Sequence, residues 1–205
     1  SIDWEEPEKV ARSIKIMQIK HAVVTSVDRD DLKDGGSIIW GETVNAIRRM
    51  NPKTTLETLI PDFQGNKRNL DRIIAVAPEV VSHNVEPVRR LTREVRIQAK
   101  YDQSLAVLLY LKQQGVNRTK SGIMLGLGET EEEVIETLHD LRKAEVDVVT
   151  IGQYLQPSKK HLGVREFITP EQFERYEAIG KDLGFRHVES GALVRSSYKA
   201  HKHIL

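Results

Sequence analysis

The chain has 205 residues, 39% of them hydrophobic, enough for one substantial core, and a single domain over residues 1–205 is predicted. Its 31 basic and 30 acidic side chains leave a formal charge of +1, so no global field draws it to nucleic acid or to a membrane surface. Cysteine is absent, which excludes disulfides, thiolate nucleophiles and thiolate metal sites of its own; no apolar run approaches the roughly 18 residues of a membrane span, and Ser-Ile-Asp-Trp-Glu-Glu-Pro is no targeting signal.

Helical periodicity begins near Pro7 and points Val10, Ile14 and Met17 inward, after which His21–Val27 reads as a buried strand. Gly35 and Gly36 open a loop. A helix from about Trp40 to Met50 leads to the strand Thr54–Ile60, stopped by Pro61 and Asp62, and a third helix carries Leu70, Ile73 and Ile74. Val80–Val85 is the next strand, followed by helical stretches at Val88–Arg96 and Asp102–Gln114 that Gly115 closes. Thr119–Leu127 is a strand. Thr130 and Glu133 form a capping box for the helix to Lys143, and Val148–Leu155 is the strand after it. Thr169, Pro170 and Gln172 supply cap, first-turn proline and reciprocal acceptor for a helix that Gly184 ends before the strand Arg186–Val188.

Six strands alternating with helices imply a mainly parallel sheet, since parallel neighbours need a crossover that is usually helical. Closed barrel and open doubly wound sheet both satisfy the pattern. In either, ligands gather at the carboxyl ends of the strands.

Those ends are polar. Thr25-Ser26-Val27-Asp28 with Asp34-Gly35-Gly36 is either a solvated acidic loop or a rim that accepts hydrogen bonds from a cationic amino group. Ser82-His83-Asn84-Val85-Glu86 sets polar side chains on both sides of a strand end, with Asn84 and Glu86 on one side, either bonded internally or facing a ligand's hydroxyls or amine. Gly122, Gly126 and Gly128 permit close backbone approach to a flat ligand, but they lack the dinucleotide spacing and the P-loop lysine. Gln153 and Tyr154 end a strand with an amide and a phenol, suited either to an adenine edge or to packing. Arg195-Ser196-Ser197-Tyr198 lies in a polar tail, and His201 with His203 is poor evidence for a metal site. Lys120, the only lysine in a predicted strand, sits near that strand's start, where carboxylate pairing or packing is expected rather than Schiff-base chemistry.

Taken together, Thr-Ser-Val-Asp-Arg-Asp-Asp at 25–31, Leu-Ile-Pro-Asp-Phe at 59–63, Ser-His-Asn-Val-Glu at 82–86, Thr-Lys-Ser-Gly-Ile-Met-Leu-Gly-Leu-Gly-Glu-Thr at 119–130, Gly-Gln-Tyr-Leu-Gln-Pro-Ser at 152–158 and Arg-Ser-Ser-Tyr at 195–198 resemble lipoyl synthases, of the radical S-adenosylmethionine superfamily, in the family's order. The resemblance implies a partial (β/α)6 TIM-like barrel of the radical SAM type without its first strand. It implies S-adenosylmethionine and two four-iron four-sulfur clusters, one radical-generating and one auxiliary, and insertion of two sulfurs at C6 and C8 of a protein-bound octanoyl group. By the same resemblance Thr25, Ser26, Asp28, Asn84, Glu86, Lys120, Gly122, Met124, Gly126 and Gln153 contact the cosubstrate. Ser197 falls on the family's serine ligand to the auxiliary cluster, with Arg195 at that end.

Implied partners are octanoylated lipoyl carriers, the H protein or acyltransferase lipoyl domains, and an electron donor such as ferredoxin or flavodoxin; nucleic acid and membrane are not expected. Lys159, Lys160, His161 and Arg165 are either a basic surface for an acidic carrier or a solvated loop. The implied compartment is cytoplasm in a bacterium and mitochondrial or plastid matrix in a eukaryote. The resemblance places the cluster-binding cysteines, including Cys-x-x-x-Cys-x-x-Cys, before residue 1. The expectation is therefore a truncated chain, inactive alone. The alternatives are a cluster-free module that binds S-adenosylmethionine or a carrier protein, and an ordinary barrel lyase or aldolase.

Overall fold

The computed structural model describes residues 2–95 and 100–204. Helix α1, Glu6–Ile16, starts with Pro7 in its first turn and acidic Glu6 and Glu8, which suit a helix amino terminus, and buries Pro7, Ala11 and Ile14. Met17 was expected inward but is exposed, because the helix has ended at the preceding residue. Strand β1 is His21–Thr25, and α2, Ser37–Met50, begins earlier than its apolar period suggests, from a left-handed Gly36 at φ +81°. Then follow β2 (Thr55–Leu59), α3 (Lys67–Ala75) and β3 (Val80–Ser82). The stretch expected to be helical from Val88 resolves into a 3-10 turn, Arg89–Leu91, and the short α4, Thr92–Val95; Arg96 lies outside the described residues.

Next come α5 (Tyr101–Gln113), β4 (Arg118–Leu125), α6 (Glu131–Lys143), β5 (Val148–Gln153), α7 (Pro170–Asp182) and β6 (His187–Gly191). The capping box of α6 forms: Thr130 Oγ1 accepts from the Glu133 amide at 3.3 Å and Glu133 accepts from the Thr130 amide at 2.8 Å. At α7 only half of the expected reciprocity exists. Thr169 accepts from the Gln172 amide at 3.2 Å, but the Gln172 side chain donates instead to Glu131 of α6, at 3.1 Å. Among the described residues no helix is long and apolar enough to cross a membrane.

All six strands run parallel in chain order, β1 to β6, so β1 and β6 are the edges of the described sheet. One register line passes through Thr25, Leu59, Ser82, Lys120, Val148 and His187. On the helix-covered face, Ala22, Leu56, Val81, Ile123, Val149, Ile151 and Val188 join three apolar clusters with the helices. Each of the valine, leucine and isoleucine side chains among them contributes about 1.5–3 kcal/mol by leaving water. The opposite face is polar. Glu57, Ser82 and Lys120 meet there, and the carboxyl-terminal segment crosses it. The Val194 carbonyl sits over Gly152 of β5, the Ser196 carbonyl over Lys120 of β4, and the 3-10 turn Ala200–Lys202 against β1.

Candidate functional site

A cavity of about 330 Å³ lies at the carboxyl ends of β3, β4 and β5, beneath residues 194–196. Its first wall is built by an interruption. After Ser82 the chain leaves the sheet and rejoins it at Glu86, which adopts φ +65° and bridges to Ile123: its amide donates to the Gly122 carbonyl at 3.0 Å, and its carbonyl accepts from the Met124 amide at 2.9 Å. The detour separates the side chains in the way expected of a strand, although the strand itself has ended. His83 turns to the helix face and bonds Ile60 O and Ser104 Oγ, while Asn84 and Glu86 stay with the cavity.

Asn84 Nδ2 donates to Glu86 Oε1 and to Ser196 Oγ, both at 2.9 Å, joining β3's end to the carboxyl-terminal segment. Two glycines make that closeness possible. A Cβ on Gly122 would stand 2.8 Å from Asn84 Oδ1, and one on Gly152 would collide with the Val194 carbonyl oxygen. Ile123, Met124, Leu155 and Pro157 add apolar lining, and Arg195 stands at the rim, its Nη1 donating to the Val194 carbonyl at 2.7 Å.

The structure therefore gathers Asn84, Glu86, Gly122, Met124, Gln153 and Arg195 around one cavity. Five other predicted contacts, Thr25, Ser26, Asp28, Lys120 and Gly126, stand elsewhere. Thr25 and Ser26 line a second cavity of about 340 Å³ between β1's end, α1 and α2, where Ser26 Oγ accepts from Trp40 Nε1 at 3.2 Å. Asp28 is exposed on the loop beside it. Lys120 lies beneath the first cavity with a side chain wholly shielded from solvent; it meets Glu57 at 2.8 and 3.0 Å and the Ser196 carbonyl at 2.5 Å. Burial holds its ammonium below the ordinary lysine range, against the pull of Glu57.

Gln153 lines the cavity, but its amide is committed. Nε2 donates to the carbonyls of Leu125, Tyr154 and Glu166 and Oε1 accepts from the Ile168 amide, so it staples the 154–168 loop to β4 rather than presenting a free edge. Gly126, at φ +106°, belongs to that staple, since a Cβ there would meet Gln153 Nε2 and the Glu166 carbonyl. Ser197 is exposed beyond the cavity, and Ser196 is the serine that lines it.

Three contributors escaped the sequence reading. Glu57 was hidden in an apolar strand, although a carboxylate inside Thr54–Ile60 demands a buried cation as partner. Glu129 accepts from the amides of Gly126 and Leu127 at 2.5 and 3.0 Å and so holds the glycine turn; its place three residues after Gly126 was the available signal. Ser196 was passed over for its neighbour. Among the described residues no three histidine or carboxylate side chains are placed to hold a metal ion.

The arrangement suits a small organic molecule with a cationic or hydroxylated end and an apolar one. The volume lies at the lower end of the ~300–1,000 Å³ range of such sites. It does not suit an iron–sulfur cluster held by these residues alone, because the chain contains no cysteine and so offers no thiolate.

The Radical SAM superfamily profile matches residues 1–141. The chain is 82% identical over 204 residues to the mitochondrial lipoyl synthase of Nematostella vectensis, covering 100% of this chain and 70% of that one. It is 82% identical over 205 residues to the lipoyl synthase of Flavobacterium psychrophilum, covering 100% and 71%. Among solved structures it is similar to HydG, a maturase of the [FeFe]-hydrogenase, with TM-score 0.73 and 12% identity over 100% of this chain and 48% of that one. Streptococcus suis SuiB bound to S-adenosylmethionine gives TM-score 0.67 and 9% identity over 98% and 46%. The chain thus spans about half the length of those two solved structures, and the likeness to them is one of fold, a six-stranded parallel α/β barrel left open between β1 and β6.

Proposed function

The chain belongs to the lipoyl synthase family of radical SAM sulfurtransferases, and from that premise we propose that the cavity above β3–β5 is this chain's share of the S-adenosylmethionine site. In this family two sulfur atoms are inserted at C6 and C8 of a protein-bound octanoyl group, and S-adenosylmethionine supplies the 5'-deoxyadenosyl radical that opens those positions. The two four-iron four-sulfur clusters of that chemistry need thiolates that these 205 residues do not contain.

The observation that carries the reading is the joint placement of Asn84 and Glu86 on a glycine floor. Asn84's amide group, held by Glu86 and Ser196, presents fixed polarity to hydroxyls, and the Glu86 carboxylate faces a cationic amine. Gly122 and Gly152 keep the floor flat, while Met124, Ile123 and Leu155 offer apolar contact to a base. Arg195, at the rim, and Ser197, exposed beyond it, are the residues we assign to the auxiliary-cluster end, and Ser196 between them is tied to Asn84 and Lys120.

The acceptor is an octanoylated lipoyl carrier. The exposed Lys159, Lys160, His161 and Arg165 lie on the loop after β5 that borders the cavity, a cationic rim for an acidic carrier surface. An electron donor such as ferredoxin or flavodoxin completes the reaction. The compartment is that of the carrier, bacterial cytoplasm or a mitochondrial or plastid matrix.

Calorimetric titration with S-adenosylmethionine tests the reading. Saturable one-to-one binding that falls about tenfold in Asn84→Ala supports it, on the scale of the upper end for a neutral hydrogen bond. Equal affinity in the variant removes Asn84 from the site.

A further inference from the structure

We propose that Lys120, braced by Glu57, is a positioning residue that fixes the Arg195–Ser196–Ser197 segment over the cavity by donating to the Ser196 carbonyl. Its functional consequence rests on the reading of the cavity given above. The contact itself does not.

The ammonium has three N–H donors, and three acceptors surround it: Glu57 Oε1 at 2.8 Å, Glu57 Oε2 at 3.0 Å and the Ser196 carbonyl oxygen at 2.5 Å. Both charged side chains are 0% exposed. Glu57 is in turn held by Ser82, whose hydroxyl donates to Oε1 at 2.7 Å, so β2, β3 and β4 all contribute to aiming one ammonium. A buried ion pair is a poor way to stabilise a core, because desolvation cancels most of its attraction and an apolar pair of equal volume holds a fold as well. This pair does something an apolar pair cannot. It presents a charged donor to a main-chain carbonyl 76 residues away in sequence, within a segment that has no strand pairing of its own.

The segment's height over the cavity follows from that bond. The Ser196 hydroxyl receives Asn84 Nδ2 and the Val194 carbonyl rests over Gly152, so a shift at the Ser196 carbonyl moves both the cavity's roof and the Asn84 amide. Arg195 and Ser197 flank the anchored residue and move with it. Lys120 therefore acts on the site without touching its contents.

The test separates anchoring from simple stability. In the native protein, with whatever clusters it carries, Lys120→Met leaves Glu57 buried without its cation and should lower the unfolding midpoint; the double variant Glu57→Gln/Lys120→Met leaves no buried charge and should recover most of it. Amide hydrogen exchange in residues 195–203 should stay about tenfold or more faster than wild type in that double variant, and S-adenosylmethionine affinity should fall about tenfold. Wild-type exchange and affinity in the double variant would overturn the proposal.

Glu57→Asp keeps both charges and provides a second route should the double variant fail to fold. It draws the ammonium toward β2, and exchange in the same residues should quicken by about threefold or more beyond the change that the fall in unfolding midpoint produces elsewhere in the chain. Unchanged exchange there also overturns the proposal. A wild-type protein that binds no S-adenosylmethionine would refute the cavity's assignment while leaving the exchange result, and the anchor, intact.

Discussion

Two cavities of nearly equal size, about 330 and 340 Å³, open at the same end of the sheet, and they are held in opposite ways. The one above β3–β5 is closed by bonds between residues far apart in sequence: Asn84 to Ser196 and Lys120 to Ser196. The one beside β1 is bordered by a loop tied largely to itself, with Arg29 on Asp31 and the Asp34 carboxylate on the amide of Ile38. Volume does not distinguish a built site from a gap between helices; the distance in sequence over which its walls are tied does. Preorganised polar groups discriminate charge because they need no reordering on binding, and in the first cavity an amide and, through it, a carboxylate are fixed in this way by a partner far along the chain.

The largest expected difference lies beneath the two sites. Lys120→Ala strands the Glu57 carboxylate in the core and should cost about 3–5 kcal/mol in urea unfolding. Arg29→Ala, at the other cavity, should leave the unfolding midpoint unchanged, because its partner Asp31 is open to solvent. A comparable loss in both would erase the contrast.

Gly152→Ala comes next. Its Cβ would press on the Val194 carbonyl, and the segment must lift, at a cost of about 1–3 kcal/mol and with weakened S-adenosylmethionine binding measured by titration. Gly36, at φ +81°, has only side-chain atoms near the place an added methyl would take, none closer than 3.7 Å; as alanine it should cost about 1 kcal/mol and leave binding unchanged.

Acid should act on the anchored side as well. His203 is wholly buried at the segment's end, facing Lys120, His187, His21 and His201, and burial brings its pKa down to about 3. The unfolded chain takes up this proton below about pH 6.5 while the folded chain does not, so stability present above pH 6.5 is lost as pH falls. At pH 5 the loss from this residue should reach about 2 kcal/mol at most, and His203→Gln should flatten the pH dependence of the urea midpoint. A small effect is expected at the β1 rim. Ser26→Ala removes one hydrogen bond from Trp40 and should change stability by about 1 kcal/mol or less, with no change in binding.

The same contrast explains what could be read in advance. Strands and helices were legible because β-branched runs and 3.6-residue periods are local, and the Thr130–Glu133 capping box spans only four residues. Asn84 and Glu86 do lie on one side, as alternation suggested, but the strand ends at Ser82 and a detour, not a continuous strand, brings them together. What local reading missed depends on long-range partners. Gln153 resembles a base reader until the carbonyls of Leu125, Tyr154 and Glu166 are seen to occupy its amide, and Lys120 becomes part of the site's support only once the tail folds back over β4. Ser196 and Ser197 are adjacent and chemically identical. Only the path of the segment across β5 and β4 turns the former toward the cavity and leaves the latter exposed.

A single calorimetric comparison bears most directly on the central claim, that the long-range-tied cavity is the one that takes S-adenosylmethionine. Glu86→Gln, in the first cavity, should weaken binding by about tenfold or more, whereas Asp28→Asn, beside the second, should alter it by less than about threefold. If Asp28→Asn weakens binding more than Glu86→Gln does, the ligand sits at the β1 rim and the assignment is wrong.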